Sequence, residues 1–173
     1  MIQPAGSIAQ IAYVVDDLEQ AMSKWLNSKM TGPFFVIEQV VFHEPVYRGN
    51  AGEIDLDIAL GYTGNMCVEL IRQKCDRPSV YQELMQRQGG GFHHWGVIAK
   101  DYEKEMADYE QKGIELAFDS SIDGTRFAYY DTVAELGGMI ELFEPTKPFL
   151  ELFEFLAGTA ENWDGKDPIR SFS

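Results

Sequence analysis

Two hydrophobic periods alternate along this chain, and they change in the same order twice. Ile8 to Val15 is an apolar, partly β-branched run interrupted only by Gln10, which predicts a buried strand. Asp16 is placed as the N-cap of a helix in which Leu18, Ala21, Met22, Trp25 and Leu26 recur at three- and four-residue spacing. Gly32-Pro33 breaks that pattern. Phe34 to Val41 predicts a second strand, and His43-Glu44-Pro45 a turn or bulge. Ile54, Leu56, Ile58 and Leu60 then alternate with Glu53, Asp55, Asp57 and Ala59, the pattern of a half-exposed strand with a solvated acidic face. Gly61 to Asn65 reads as a turn, and Met66 to Arg72 as the next strand.

A linker over 74–78 leads to a short amphipathic helix over 80–88, and Gly89-Gly90-Gly91 marks the clearest boundary. The order then repeats. A strand is predicted over 92–99, a helix over about 102–112 capped by Asp101 and stopped by Gly113, and strands near 114–119, 125–132 and 138–144. Phe149, Leu152, Phe153 and Leu156 share one face of a last helix of about 149–157, and the tail from Gly158 reads as irregular. The division is therefore a first β-α-β-β-β module over 7–73, a linker with a helix over 74–91, a second module over 92–146, and a C-terminal helix and tail over 147–173.

Laid over one another, the modules match Gln10 with His94 and Ala12 with Gly96. Cys67-Val68-Glu69-Leu70 likewise matches Met139-Ile140-Glu141-Leu142. Gln10 to Glu69 spans 59 positions and His94 to Glu141 spans 47, leaving 12 extra residues in the first copy, placed around 41–53.

Bulk properties narrow the partners. The net charge is −14, from 28 acidic and 14 basic residues. That argues against nucleic acid or an anionic membrane surface, both of which require clustered Lys and Arg. Cys67 and Cys75 are too few for a disulfide framework and lack zinc-site spacing, so both read as reduced thiols. No segment has a signal-peptide pattern or approaches the ~20 apolar residues of a membrane span, and a cytoplasmic location is expected.

The candidate chemistry follows from strand parity. Gln10 shares a face with Ile8, Ala12 and Val14, and His94 with Phe92, Gly96 and Ile98; Glu69 and Glu141 each sit in an apolar strand. A buried carboxylate must shift its pKa, find a partner or bind a cation. One such Glu or His in a strand is ordinarily a solvent-facing or satisfied residue. Four at matching places in two repeats converge if a pseudo-two-fold axis relates the modules. Two carboxylates, an imidazole and an amide oxygen suit a divalent cation such as Zn, Ni, Co, Mn or Fe(II). His93 points to the opposite face and is set aside as a ligand, and His43 is assigned to a turn. Trp95, Tyr129 and Tyr130 are assigned to core packing in preference to a pocket wall, and Met139 and Phe143 to keeping the site dry.

The paired modules with these strand residues resemble the vicinal oxygen chelate superfamily, which includes glyoxalase I, methylmalonyl-CoA epimerase, extradiol dioxygenases and bleomycin-resistance proteins. The resemblance covers roughly 7–145. It implies an α+β fold in which the two β-α-β-β-β modules pair into a cupped, barrel-like mixed sheet, with the C-terminal helix as an addition. It also implies metal ligands on the first and last strand of each module, here Gln10, Glu69, His94 and Glu141. That set is similar to the ligands of some glyoxalase I enzymes. It departs from methylmalonyl-CoA epimerases at both positions of the first module, and Gln10 replaces the first His of the dioxygenases. The activity implied is that of a metal-dependent isomerase, epimerase or glyoxalase-type lyase, moving a proton α to a carbonyl of a small chelating substrate through an enediolate. In that role Glu141 is the first choice as base and Glu69 the group that returns the proton. The alternatives are a small-molecule binding protein of the same fold and an Fe(II) dioxygenase. The resemblance further implies a homodimer.

Overall fold

A computed structural model describes residues 1–28 and 31–172. The first half of the chain forms β1 (Ile8–Val14), α1 (Leu18–Asn27), β2 (Phe34–Ile37), β3 (His43–Tyr47), β4 (Asn50–Ala51), β5 (Leu56–Thr63) and β6 (Met66–Gln73). After α2 (Val80–Gln88), the second half forms β7 (Gly91–Ile98), α3 (Tyr102–Gln111), β8 (Leu116–Ile122), β9 (Thr125–Tyr130), α4 (Val133–Leu136) and β10 (Met139–Phe143). α5 (Lys147–Glu161) and β11 (Ile169–Ser171) follow. The caps explain the helix starts. Asp17, one residue later than expected, accepts the Gln20 N–H at 2.8 Å, Asp101 accepts that of Lys104, and Ser79 accepts that of Gln82.

The strands form one curled mixed sheet in the order β11-β2-β5-β6-β1-β7-β10-β9-β8-β3-β4. β1 runs parallel to β6, as β7 does to β10, while β5–β6 and β9–β10 are antiparallel. The halves meet in the antiparallel β1–β7 pair, where Ala12 faces His94 and Gln10 faces Gly96. This is the symmetric mixed sheet the repeat predicts. At the junction Gly90 has φ +99, and a Cβ there would lie 2.7 Å from the Val14 carbonyl oxygen.

α1 covers the outer face of the first half, burying Leu18 and Met22 against Ala59, Val68 and Leu70. α3 covers the second half through Tyr102, which packs with Ala128, Tyr130 and Leu142. On the inner face α2 contributes Val80, Tyr81 and Leu84 to the largest core cluster, and α5 packs Phe153 and Leu156 over Leu60, Tyr62 and Cys67. No helix among the described residues is long and apolar enough to cross a membrane.

Four local expectations need correction. The strand expected over 34–41 stops at Ile37, because Gln39 turns to φ 54 and gives its N–H to Asp57 at 2.9 Å. Of the turn or bulge expected at 43–45 the structure has the bulge, but inside a strand, β3, which crosses to the far edge of the sheet and pairs with β8 of the other half. β5 is not half-exposed: Ala59 is fully buried beneath α1, and Asp57, ion-paired to Lys74 at 2.9 Å, is largely covered. The tail contains β11, paired with β2 at Phe34 to Val36, and α5 runs longer at both ends than expected.

Candidate metal centre

The sheet register sets the candidate residues in two adjacent rows. One row runs Gln10, Gly96, Glu141 across β1, β7 and β10. The other runs Glu69, Ala12, His94, Met139 across β6, β1, β7 and β10. The small residues between them make room for convergence: a Cβ on Gly96 would sit 2.7 Å from Gln10 Oε1 and 2.7 Å from Phe143.

His94 Nε2 lies 2.8 Å from Glu141 Oε2 and 3.5 Å from Glu69 Oε2. One ligand atom from each of Glu69, His94 and Glu141 falls within 4.8 Å of the others. All four candidates are buried, His94 completely. Nevertheless His94 Nε2, Glu141 Oε2 and Gln10 Oε1 have no hydrogen-bond partner of acceptable geometry. The Gln10 amide nitrogen reaches only Cys67 Sγ, at 4.0 Å. Buried polar atoms this close, aimed at one another and unpaired, are costly unless a cation lies between them.

The protonation states sharpen this picture. His93 Nε2 lies 3.2 Å from the Val80 carbonyl oxygen, which only accepts, so Nε2 carries the proton. Neutral His93 then presents a bare Nδ1 to His94 Nδ1, 2.9 Å away, which must donate. That leaves His94 Nε2 as a lone pair facing the two carboxylates. Burial keeps both rings neutral, lowering each pKa to about 3. Glu69 is held well above the usual carboxylate range by burial and then by the charge of Glu141. Burial raises Glu141 as well, against the nearby Tyr129 hydroxyl, which lowers it. The side chains thus offer nitrogen and oxygen lone pairs with no positive charge among them, the donor set of a borderline divalent cation.

Glu69, Glu141 and Gln10 open on a cavity of about 590 Å³ lined also by Ile58, Phe127, Tyr129, Phe143 and Phe149. Parity within the strands foretold the side-chain directions of all four candidates. It did not foretell Tyr129, which was assigned to packing. Tyr129 stands opposite Glu141 in the β9–β10 register, lines the cavity and accepts a hydrogen bond from Tyr81 at 3.1 Å. Tyr130, on the other face, is the packing residue, stacked on Tyr109 at 4.1 Å. His93 does not face the two glutamates, but it orients His94, which does. The only trace of that role in the sequence is the tandem His93-His94, because the Val80 carbonyl comes from α2.

Residues 9–129 match the family model described as Glyoxalase/Bleomycin resistance protein/Dioxygenase superfamily. The chain belongs to that superfamily. Solved structures show the same glyoxalase-like fold. A hypothetical protein from Bacillus halodurans C-125 is 16% identical, with a TM-score of 0.59 over 82% of this chain and 95% of its own. Methylmalonyl-CoA epimerase from Mycobacterium tuberculosis is 15% identical, with a TM-score of 0.56 over 86% and 97%. The Streptomyces coelicolor methylmalonyl-CoA epimerase, in complex with 2-nitronate-propionyl-CoA, is 15% identical, with a TM-score of 0.54 over 83% and 97%. No curated protein matches the sequence. At these identities the glyoxalase-superfamily likeness speaks to the fold, and the chemistry has to be argued from the side chains.

Proposed function

We propose that Gln10, Glu69, His94 and Glu141 hold a divalent cation and that the protein is a metal-dependent isomerase, epimerase or glyoxalase-type lyase. The observation that carries this reading is the convergence of three buried acceptor side chains within 4.8 Å, with no cationic side chain among the described residues to neutralise them. A divalent cation there supplies a Lewis acid for the oxygens of a chelating carbonyl substrate, acidifying the adjacent C–H.

Glu141 accepts the α-proton in this scheme. Burial raises its proton affinity and a bound cation would lower it again, which would keep Glu141 an unprotonated acceptor at neutral pH. The Tyr129 hydroxyl borders its carboxylate, and a cation shared with His94, itself oriented by His93, would fix its position. Glu69 belongs to the other pseudo-symmetric half and returns the proton from a second direction, which allows isomerisation or inversion. The apolar walls exclude water and keep the carbanionic species from being quenched.

The test pairs elemental analysis with α-proton/deuterium exchange of candidate carbonyl compounds. One equivalent of divalent metal, with exchange lost in Glu141→Gln, is the expected result. A protein that takes up no metal would sink the reading. A second reading, a small-molecule binding protein, is favoured by the depth of the apolar cavity; metal uptake and ligand binding without exchange would select it.

A further inference from the structure

We infer that the substrate is an uncharged, ring-bearing carbonyl compound with oxygens on adjacent carbons, and not an acyl-CoA thioester or a glutathione adduct. The inference rests on the metal-centre reading only for which end of the molecule faces Glu69 and Glu141; the nature of its body follows from the cavity.

Among the described residues the cavity wall has no lysine or arginine, and its charged members, Glu38, Glu69, Asp123 and Glu141, are all acidic. Three lysine or arginine side chains adjoin lining residues in sequence: Arg72, next to Ile71, is exposed and by strand alternation faces away from the cavity, and the other two are ion-paired to glutamates. Arg126, between the lining residues Thr125 and Phe127, turns away to Glu103 and Glu144 at 2.7 and 2.9 Å. Lys147, beside the lining residue Pro148, is exposed and 3.5 Å from Glu151. Phosphates and peptide carboxylates would therefore enter against acidic groups with nothing to pair with, inside a chain of net charge −14.

The rest of the wall states what does fit. Phe143, Phe149 and Phe153 form a run of tilted rings, with centroids 4.7 Å apart for the first pair and 4.4 Å for the second. Such a surface favours flat aromatic or alicyclic bodies over polar chains. At about 590 Å³ the cavity is well beyond the needs of a three-carbon carbonyl compound. The two segments that break the internal repeat both contribute: Val40 and Phe42 come from the stretch leading into β3, and Phe149 and Phe153 from α5. α5 follows the second module, so part of the aromatic wall comes from outside the two repeated modules.

The experiment uses the full chain, with and without added Mn(II). Nile red reports on the cavity, and benzoin (a neutral two-ring compound with vicinal oxygens), propionyl-CoA and S-hexylglutathione compete for it. The expected result is that benzoin displaces the dye at concentrations at least roughly a hundredfold lower than either anionic competitor. Leu152→Lys, on the cavity-facing side of α5, is expected to weaken dye binding about tenfold while Mn(II) binding, read by its paramagnetic resonance signal, stays unchanged. Displacement by propionyl-CoA or S-hexylglutathione as readily as by benzoin overturns the inference, as does Mn(II) binding to a protein that takes up no dye. Dye and benzoin binding without any Mn(II) uptake supports the inference and overturns the metal-centre reading, so the two fail separately.

Discussion

The Nδ1 atoms of His93 and His94 stand 2.9 Å apart, and the hydrogen bond between them decides which nitrogen of His94 faces the two glutamates. A backbone carbonyl of α2 sets the tautomer of the first ring, and the first ring sets that of the second. The lone pair that faces Glu69 and Glu141 is thereby fixed by the protein alone.

Replacing His93 with Phe preserves the ring packed at 5.0 Å from Tyr81 but removes the acceptor. Metal affinity is expected to fall roughly 10–100-fold, the usual effect of losing the group that orients a ligating histidine. Zinc titration against a chromophoric chelator measures it. An unchanged affinity, with the fold intact by circular dichroism, would refute the relay.

The ionisation of the centre makes stability depend on pH with a sign that metal reverses. Glu69 and Glu141 have folded pKa values above the ordinary 4.5, so they favour the folded metal-free state at low pH, and that contribution is lost as pH rises. For Glu141 the loss is complete only near pH 8. His93 and His94, depressed from 6.5 to about 3, act oppositely and cost stability below pH 6.5. Between pH 6.5 and 8 only the carboxylates titrate, so the Tm of metal-free protein is expected to drop as pH rises through that window. With saturating divalent cation it is expected to hold or climb, because ligation requires the deprotonated forms. Parallel melting curves across the window decide this, and identical slopes with and without metal would count against it.

Arg48 fastens the crossing segment to the other half of the molecule. Its guanidinium meets Glu83, Glu115 and Asp131 at 2.7, 2.7 and 2.8 Å, and its N–H donates to the Ala117 carbonyl. Arg48→Met leaves three carboxylates without their shared cation. A destabilisation of about 1–3 kcal/mol is expected in urea unfolding at low salt. High salt should shrink the difference, since the cluster is only partly covered.

Tyr129 tunes the proposed base. Its hydroxyl lowers the proton affinity of Glu141, so Tyr129→Phe raises it further. The alkaline-going rise of α-proton exchange is expected to move to higher pH in this variant, with metal content unchanged. A profile superimposable on that of the unmodified protein would remove Tyr129 from the mechanism.

How much of this was readable along the chain differs from residue to residue. That Gln10 shares a face with Ala12, and His94 with Gly96, follows from parity, because a strand alternates its side chains whatever it pairs with; that these faces meet Glu69 and Glu141 was conditional on symmetry between the modules. The duplicated order of elements announced two like halves, while their junction through the β1–β7 pair is a tertiary fact. The bulge at His43 to Pro45 is legible, but the strand that carries it is not, because its partner β8 lies more than seventy residues away.

Local periodicity therefore determined which side chains enter the interior, since that depends only on backbone geometry and apolar burial. Tertiary structure alone decided what surrounds them: the Val80 carbonyl that orients His93, the Arg48 clasp and the ring-lined roof from α5. Each of these is a contact between segments distant in sequence, and no pattern within either segment specifies the other.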